Sequence, residues 1–156
     1  MYLRTGPAAP AATAVADASQ RPPISNDLKA HSQANLPALQ FPAYPMPRSA
    51  EIVTSAYKFA AEHPEVLSYV PCFCGCERGG HRGNEDCFVK TRDVNGDVVE
   101  WEEHGMECAV CIDVATRAKS LFAQGQSVEE IRAAIDKEWA GRATTHTPTP
   151  EAPHHH

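Results

Sequence analysis

Residues 104–139 read HGMECAVCIDVATRAKSLFAQGQSVEEIRAAIDKEW, and this stretch decides the fold class. A helix is expected to begin near Gly105–Cys108 and run to about Ala123. Cys108, Cys111, Ile112, Ala115 and Phe122 then fall on or near one face at helical spacing. Gly125 stands where a helix end favours a residue that tolerates positive φ. Ser127-Val128-Glu129-Glu130 has the form of a capping box and opens a further helix. On it Val128, Ile131, Ala134, Ile135 and Trp139 face inward, and Gly141 closes it.

Working back along the chain, Ser49 to His63 reads as another helix, with Ile52, Val53, Ala56, Phe59 and Ala60 as its apolar stripe. Pro64 stops it or begins a short helical turn through Leu67. Cys87–Arg92 and Asp97–Trp101 are strand-like, and Asn95-Gly96 supplies the positive-φ residues of a tight hairpin turn. A lone hairpin is marginal, so it is expected to pack on the helices. The expected fold is mostly α with a small β-hairpin, a small helical domain organised around a Cys-rich metal site.

That site is drawn from cysteine placement. All six cysteines lie between Cys72 and Cys111, which argues for one local site rather than dispersed staples. The first group is Pro71-Cys72-Phe73-Cys74-Gly75-Cys76, followed by His81 and Cys87; the second is His104-Gly105-Met106-Glu107-Cys108-Ala109-Val110-Cys111. In an extended segment residues two apart project to one side, so Cys72, Cys74 and Cys76 are expected to aim three sulfurs at one point. Gly75 lets the backbone curl around an ion. Cys108 and Cys111 share one face at a helix start, where backbone amides stabilise thiolates. Six thiolates with His81 and His104 beside them suit Cu(I) or Zn(II) rather than Mg or Ca. They also exceed the four donors of one zinc site, which tilts the expectation toward copper.

Blander readings stand beside this one. The cysteines are also compatible with three disulfides, although Cys-x-Cys-x-Cys makes near neighbours poor partners for each other. A structural zinc knot with spare thiols is another reading. Met106 serves core packing as readily as coordination, His63 suits a helix-end role, and His31 and His146 are assigned nothing. Phe73 and Trp101 are expected to keep water off the site, and Glu102-Glu103 to form a solvated face.

Composition sets the bounds. The chain has 156 residues and a net charge of -6, with no Lys/Arg-rich run, so a nucleic-acid partner is not expected. No apolar run is long enough to span a bilayer. Residues 1–48 hold eight of the 13 prolines and read as a Pro/Ala-rich disordered tether, with Leu36–Pro45 lying extended against the domain. The folded domain is expected at 49–141. Residues 142–156 are then a disordered tail ending in a tag remnant, His154, His155 and His156.

Pro71-Cys72-Phe73-Cys74-Gly75-Cys76 resembles the signature of the PCYCGC-motif proteins, with Phe73 where that family usually has Tyr. Gly80-His81, Asp86-Cys87-Phe88, His104-Gly105 and Cys108-Ala109-Val110-Cys111 are similar to its downstream pattern. The resemblance covers roughly Glu51 to Trp139. It implies a bacterial exported protein or lipoprotein with metal affinity, attached to a membrane only through a lipid anchor that this chain does not carry.

The resulting expectation is an extracytoplasmic protein that binds Cu(I) for storage, buffering or transfer, with Zn(II) as the alternative ion. Its ligands are Cys72, Cys74, Cys76, Cys87, Cys108 and Cys111, assisted by His81 and His104. Its partners are the ion and a metal donor or acceptor protein. No catalytic residue is required. The competing readings are a thiol–disulfide oxidoreductase using Cys108 and Cys111, and a zinc-stabilised interaction module.

Overall fold

A computed structural model describes residues 23–154; residues 1–22, which include the start of the proline-rich arm, and His155 and His156 lie outside the described residues. The chain forms α1 (Ala50–Glu62), α2 (Pro64–Leu67), β1 (Val89–Arg92), β2 (Val98–Trp101), α3 (His104–Glu107), α4 (Ala109–Ala123) and α5 (Val128–Trp139). Among the described residues two 3-10 turns, Cys76–Gly79 and Glu85–Cys87, precede the hairpin. The fold is mostly helical with one two-stranded antiparallel sheet.

Ser49 caps α1, its hydroxyl accepting from the Ile52 amide. The face that α1 buries carries Val53, Ala56, Tyr57 and Ala60, and Tyr57 is fully enclosed. Ile52, expected in the stripe, is exposed instead. The i, i+3, i+4, i+7 row starting at Val53 is buried where α1 packs on α4 and, through Tyr57, on the hairpin. Against it α4 sets Ile112, Ala115, Ala118 and Leu121, all buried, while Phe122 turns to the rim beside Phe59 and His63. Ser127 and Glu130 form the expected reciprocal capping box. α5 then lays Val128, Ile131 and Ile135 onto the core.

The hairpin differs in detail from its reading. Only Gly96, at φ +92°, has a positive φ there, and Asn95 does not. Asp93 organises a longer turn, its carboxylate accepting from the Asn95 and Asp97 amides. Tyr57 meets Phe88 and Trp101 edge to face at 5.1 and 5.4 Å, and its hydroxyl donates to the Glu102 carbonyl at 2.5 Å. The sheet is thereby fixed to α1.

Packing does not stop at the compositional boundaries of 48 and 142. The His31 amide donates to Glu62 O, Gln33 pairs its side-chain amide with the Val98 backbone, and Trp101 Nε1 donates to Pro37 O. Proline removes a segment's own ladder hydrogen bonds but leaves its carbonyls free to accept from the domain. On the other side Thr147 is fully buried and Arg132 donates to Pro150 O.

Candidate metal centre

The site is assembled from three breaks in regular structure. Gly75, at φ +85°, bends the chain between Cys74 and Cys76, while Cys72 Sγ stays 3.5 Å from Cys74 Sγ. Cys74 joins one group of donors, whereas Cys72 and Cys76 join another. The chain then loops back, tied by the Asn84 amide donating to Val70 O at 2.7 Å, and the second 3-10 turn brings Cys87 Sγ to 3.7 Å from Cys76 Sγ. The third break is at Cys108. Its extended backbone, φ −107° and ψ 104°, separates the short α3 from α4, which starts at the end of the range, Gly105–Cys108, where a helix start was expected. Cys108 thereby becomes the N-cap of α4, its sulfur accepting from the Cys111 amide at 3.4 Å.

Cys74, His104, Cys108 and Cys111 place their donor atoms within 4.8 Å of one another, and so do Cys72, Cys76 and Cys87. Cys72 Sγ lies 3.1 Å from Cys111 and 3.5 Å from Cys74, and Cys74 is 3.5 Å from Cys111, so the groups touch. His104 Nε2 stands 3.4 Å from Cys74 Sγ, and His81 Nδ1 stands 3.4 Å from Cys87 Sγ. The two imidazole rings meet edge to face at 5.4 Å. All six cysteines are free thiols.

Protons are shared unevenly across this cluster. Hydrogen bonds from Cys111 and Cys74 lower the Cys72 thiol to about 4, and Cys111 with Cys72 lowers Cys76 to about 2. Cys108 and Cys111 push Cys74 well below the usual thiol range. Cys111 is driven up, chiefly by its hydrogen bond with Cys108, and burial drives Cys87 up. His104 is raised to about 10 by its hydrogen bonds with Cys108 and Cys74. Half of the cysteines thus favour the thiolate, the form that ligates metal. The donors are sulfur and imidazole nitrogen with no carboxylate among them, a set that fits a soft or borderline ion.

A family model described as a protein of unknown function with PCYCGC motif matches residues 12–152. The chain belongs to this family. No curated protein and no solved structure matches it. In this PCYCGC protein the motif's third residue, Phe73, stacks on Trp139 at 6.1 Å and lies 5.8 Å from His146, so it joins the motif to α5 and the carboxyl-terminal segment. Trp101, expected beside it as a shield for the site, packs on Tyr57 and the amino-terminal arm. Met106 is buried in the core, and His63 caps α1 through its backbone while its ring bonds Glu65.

Other residues of the PCYCGC domain position the site without any local signal. Asn84 is fully buried, and its side-chain amide donates to the Cys111 carbonyl at 3.2 Å. Thr147 grips the Cys72 backbone from both sides, its hydroxyl accepting from the Cys72 amide and its own amide donating to Cys72 O, each at 2.9 Å. Arg92 and Ser68 hold the buried Glu85 two residues before Cys87. Glu102, expected on a solvated face, lines a depression with Cys76, Gly79, His81 and His104. An asparagine in a glycine-rich loop and a threonine in a proline-rich tail look like ordinary turn residues until the chain is folded.

Proposed function

We propose that this protein binds Cu(I) through its cysteine cluster and stores, buffers or passes on the ion outside the cytoplasm. The observation that carries the reading is the sulfur triangle of Cys72, Cys74 and Cys111, with edges of 3.1–3.5 Å. It lies at the junction of the two donor groups. Polarisable thiolates at such spacing suit a soft monovalent ion and let it move from sulfur to sulfur by stepwise ligand substitution. His81 and His104 border the solvent-facing depression and are the groups through which an incoming ion reaches the sulfurs. The extracytoplasmic placement rests on the resemblance to exported PCYCGC-motif proteins; no helix among the described residues is long and apolar enough to cross a membrane.

The test is metal and thiol analysis of protein purified without oxygen, followed by competition with a coloured Cu(I) chelator. Copper retained against the chelator, with few reactive thiols until the metal is stripped, supports the reading. Protein that arrives without metal and shows no thiols until reduced refutes it.

Zinc has one specific observation in its favour. Cys74, Cys108, Cys111 and His104 form a Cys3His set, a common structural zinc arrangement. Zinc retained through purification, with no displacement by Cu(I), favours that reading. We assign no catalytic role to Cys108 and Cys111, because both belong to the four-donor group. Measurable insulin reduction by the metal-free protein is the result that would reverse this assignment.

A further inference from the structure

We propose that the centre holds two ions in two adjoining positions, each built from three cysteines and one histidine; this rests on the soft-metal reading above. The eight donors divide evenly. One position is Cys74, Cys108 and Cys111 with His104, and the other is Cys72, Cys76 and Cys87 with His81. Four donors about 2.3 Å from a central ion stand about 3.8 Å apart. Every pair in the first set lies within 4.8 Å, as does every sulfur pair in the second, so side-chain adjustment alone closes either set on an ion. One ion in ordinary four-fold coordination leaves half of the eight donors unused. The bend at Gly75 is the device that makes two positions: it sends Cys74 and Cys76 into different sets although they are two residues apart.

The positions are unequal. Cys72, Cys76 and Cys87 are all buried, whereas Cys74, Cys108 and His104 are each partly open to solvent. Ligand exchange needs an incoming group to reach the ion, so the set containing His104 receives an arriving ion first and releases its ion first. Cys72 lies 3.1 Å from Cys111 and 3.5 Å from Cys74, and these contacts between the sets are the route by which an ion crosses from the outer to the inner one. The histidine rings, 5.4 Å apart, flank a common mouth that Glu102 and Cys76 also line, and Cys76 is the one sulfur of the inner set that reaches it.

Native mass spectrometry of the full chain, with His154, His155 and His156 replaced by alanine, reads the ion count directly during titration with Cu(I) and, separately, Zn(II). Two ions are expected for the parent. Cys108→Ser is expected to retain one ion and Cys76→Ser one, while the double variant retains none. His104→Ala and His81→Ala leave all sulfurs in place and serve as milder counterparts; each is expected to weaken one ion at least tenfold and spare the other, with an unchanged far-ultraviolet circular dichroism spectrum. Under chelator the parent should release one ion at least tenfold faster than the other, and Cys108→Ser should lack the fast phase. Saturation at one ion, an all-or-none cluster of more than two, or total loss of binding in both folded single-histidine variants would overturn the two positions and leave the soft-metal reading standing. A parent that takes up neither metal overturns both.

Discussion

Replacing Arg92 with methionine isolates what holds the Cys87 turn in place. The Arg92 guanidinium donates to Glu85 Oε1 at 2.9 and 3.0 Å, to the carbonyls of Ala60 and Ala61 at the end of α1, and to Gly96 O in the hairpin. Both side chains of the ion pair are less than one-fifth exposed. Methionine keeps the aliphatic stem and removes every donor, leaving Glu85 with only the Ser68 hydroxyl. Breaking one partner of a buried pair costs about 3–5 kcal/mol. For a body of roughly 100 residues that corresponds to a fall in Tm of about 12 °C or more.

The sign of the pH dependence follows from Glu85. Burial raises its carboxyl above the ordinary value of 4.5, against the pull of Arg92, so the folded state binds the proton more tightly than the unfolded chain. That contribution is fully present below the unfolded value and is lost as pH rises through the folded one. Without Arg92 the rise is larger. The Tm gap between parent and variant should therefore be widest at neutral pH and narrow in acid. The assay is thermal unfolding followed by circular dichroism at matched metal content, with Glu85→Gln/Arg92→Met as the companion. The double variant should regain part of the loss, since the stranded charge is gone. An Arg92→Met protein that melts with the parent, or a double variant no more stable than the single, would refute the reasoning.

Three further outcomes are expected. In Gly105→Ala a new Cβ would stand 2.5 Å from Phe88 Cδ1 and 2.7 Å from Cys87 O, so α3 must shift. A cost of about 1–3 kcal/mol is expected by thermal melt, with weaker chelator competition because His104 moves with α3. Asn84→Ala removes the bond to the Cys111 carbonyl and should cost about 1–3 kcal/mol, read by denaturant unfolding. In the metal-free protein the His104 ring should keep its proton at neutral pH and lose it only as pH rises toward about 10, followed by nuclear magnetic resonance. Its contribution to stability is present below about 6.5 and disappears through that upper range, and Cys74→Ser should shift the titration downward.

Much of the architecture is carried by local pattern. The capping box at Ser127 and the apolar rows of α4 and α5 state their elements without help, because helix caps and 3.6-residue periodicity are short-range properties. The break at Cys108 is not local in this sense. A helix start near Cys108 is legible, but the separate turn α3 before it is not, because α3 is seated where Gly105 packs against Cys87 O and the Phe88 ring. The arm and tail show the same limit. Proline content reports that a segment cannot build its own hydrogen-bond ladder, and it says nothing about carbonyls satisfied by Trp101 or Arg132.

The sequence by itself determined the soft character of the site, because donor chemistry belongs to residue type: six cysteines and two histidines present sulfur and imidazole wherever they fold. It also determined that Gly75 can turn the motif. Only the tertiary structure decided how those donors are shared out. Cys72 meets Cys111 and Cys76 meets Cys87 across 39 and 11 residues, and Asn84 and Thr147 fix the backbones that present them. Distances of that kind are set by how α4, the looped motif and the strap pack together, and no spacing along the chain encodes them.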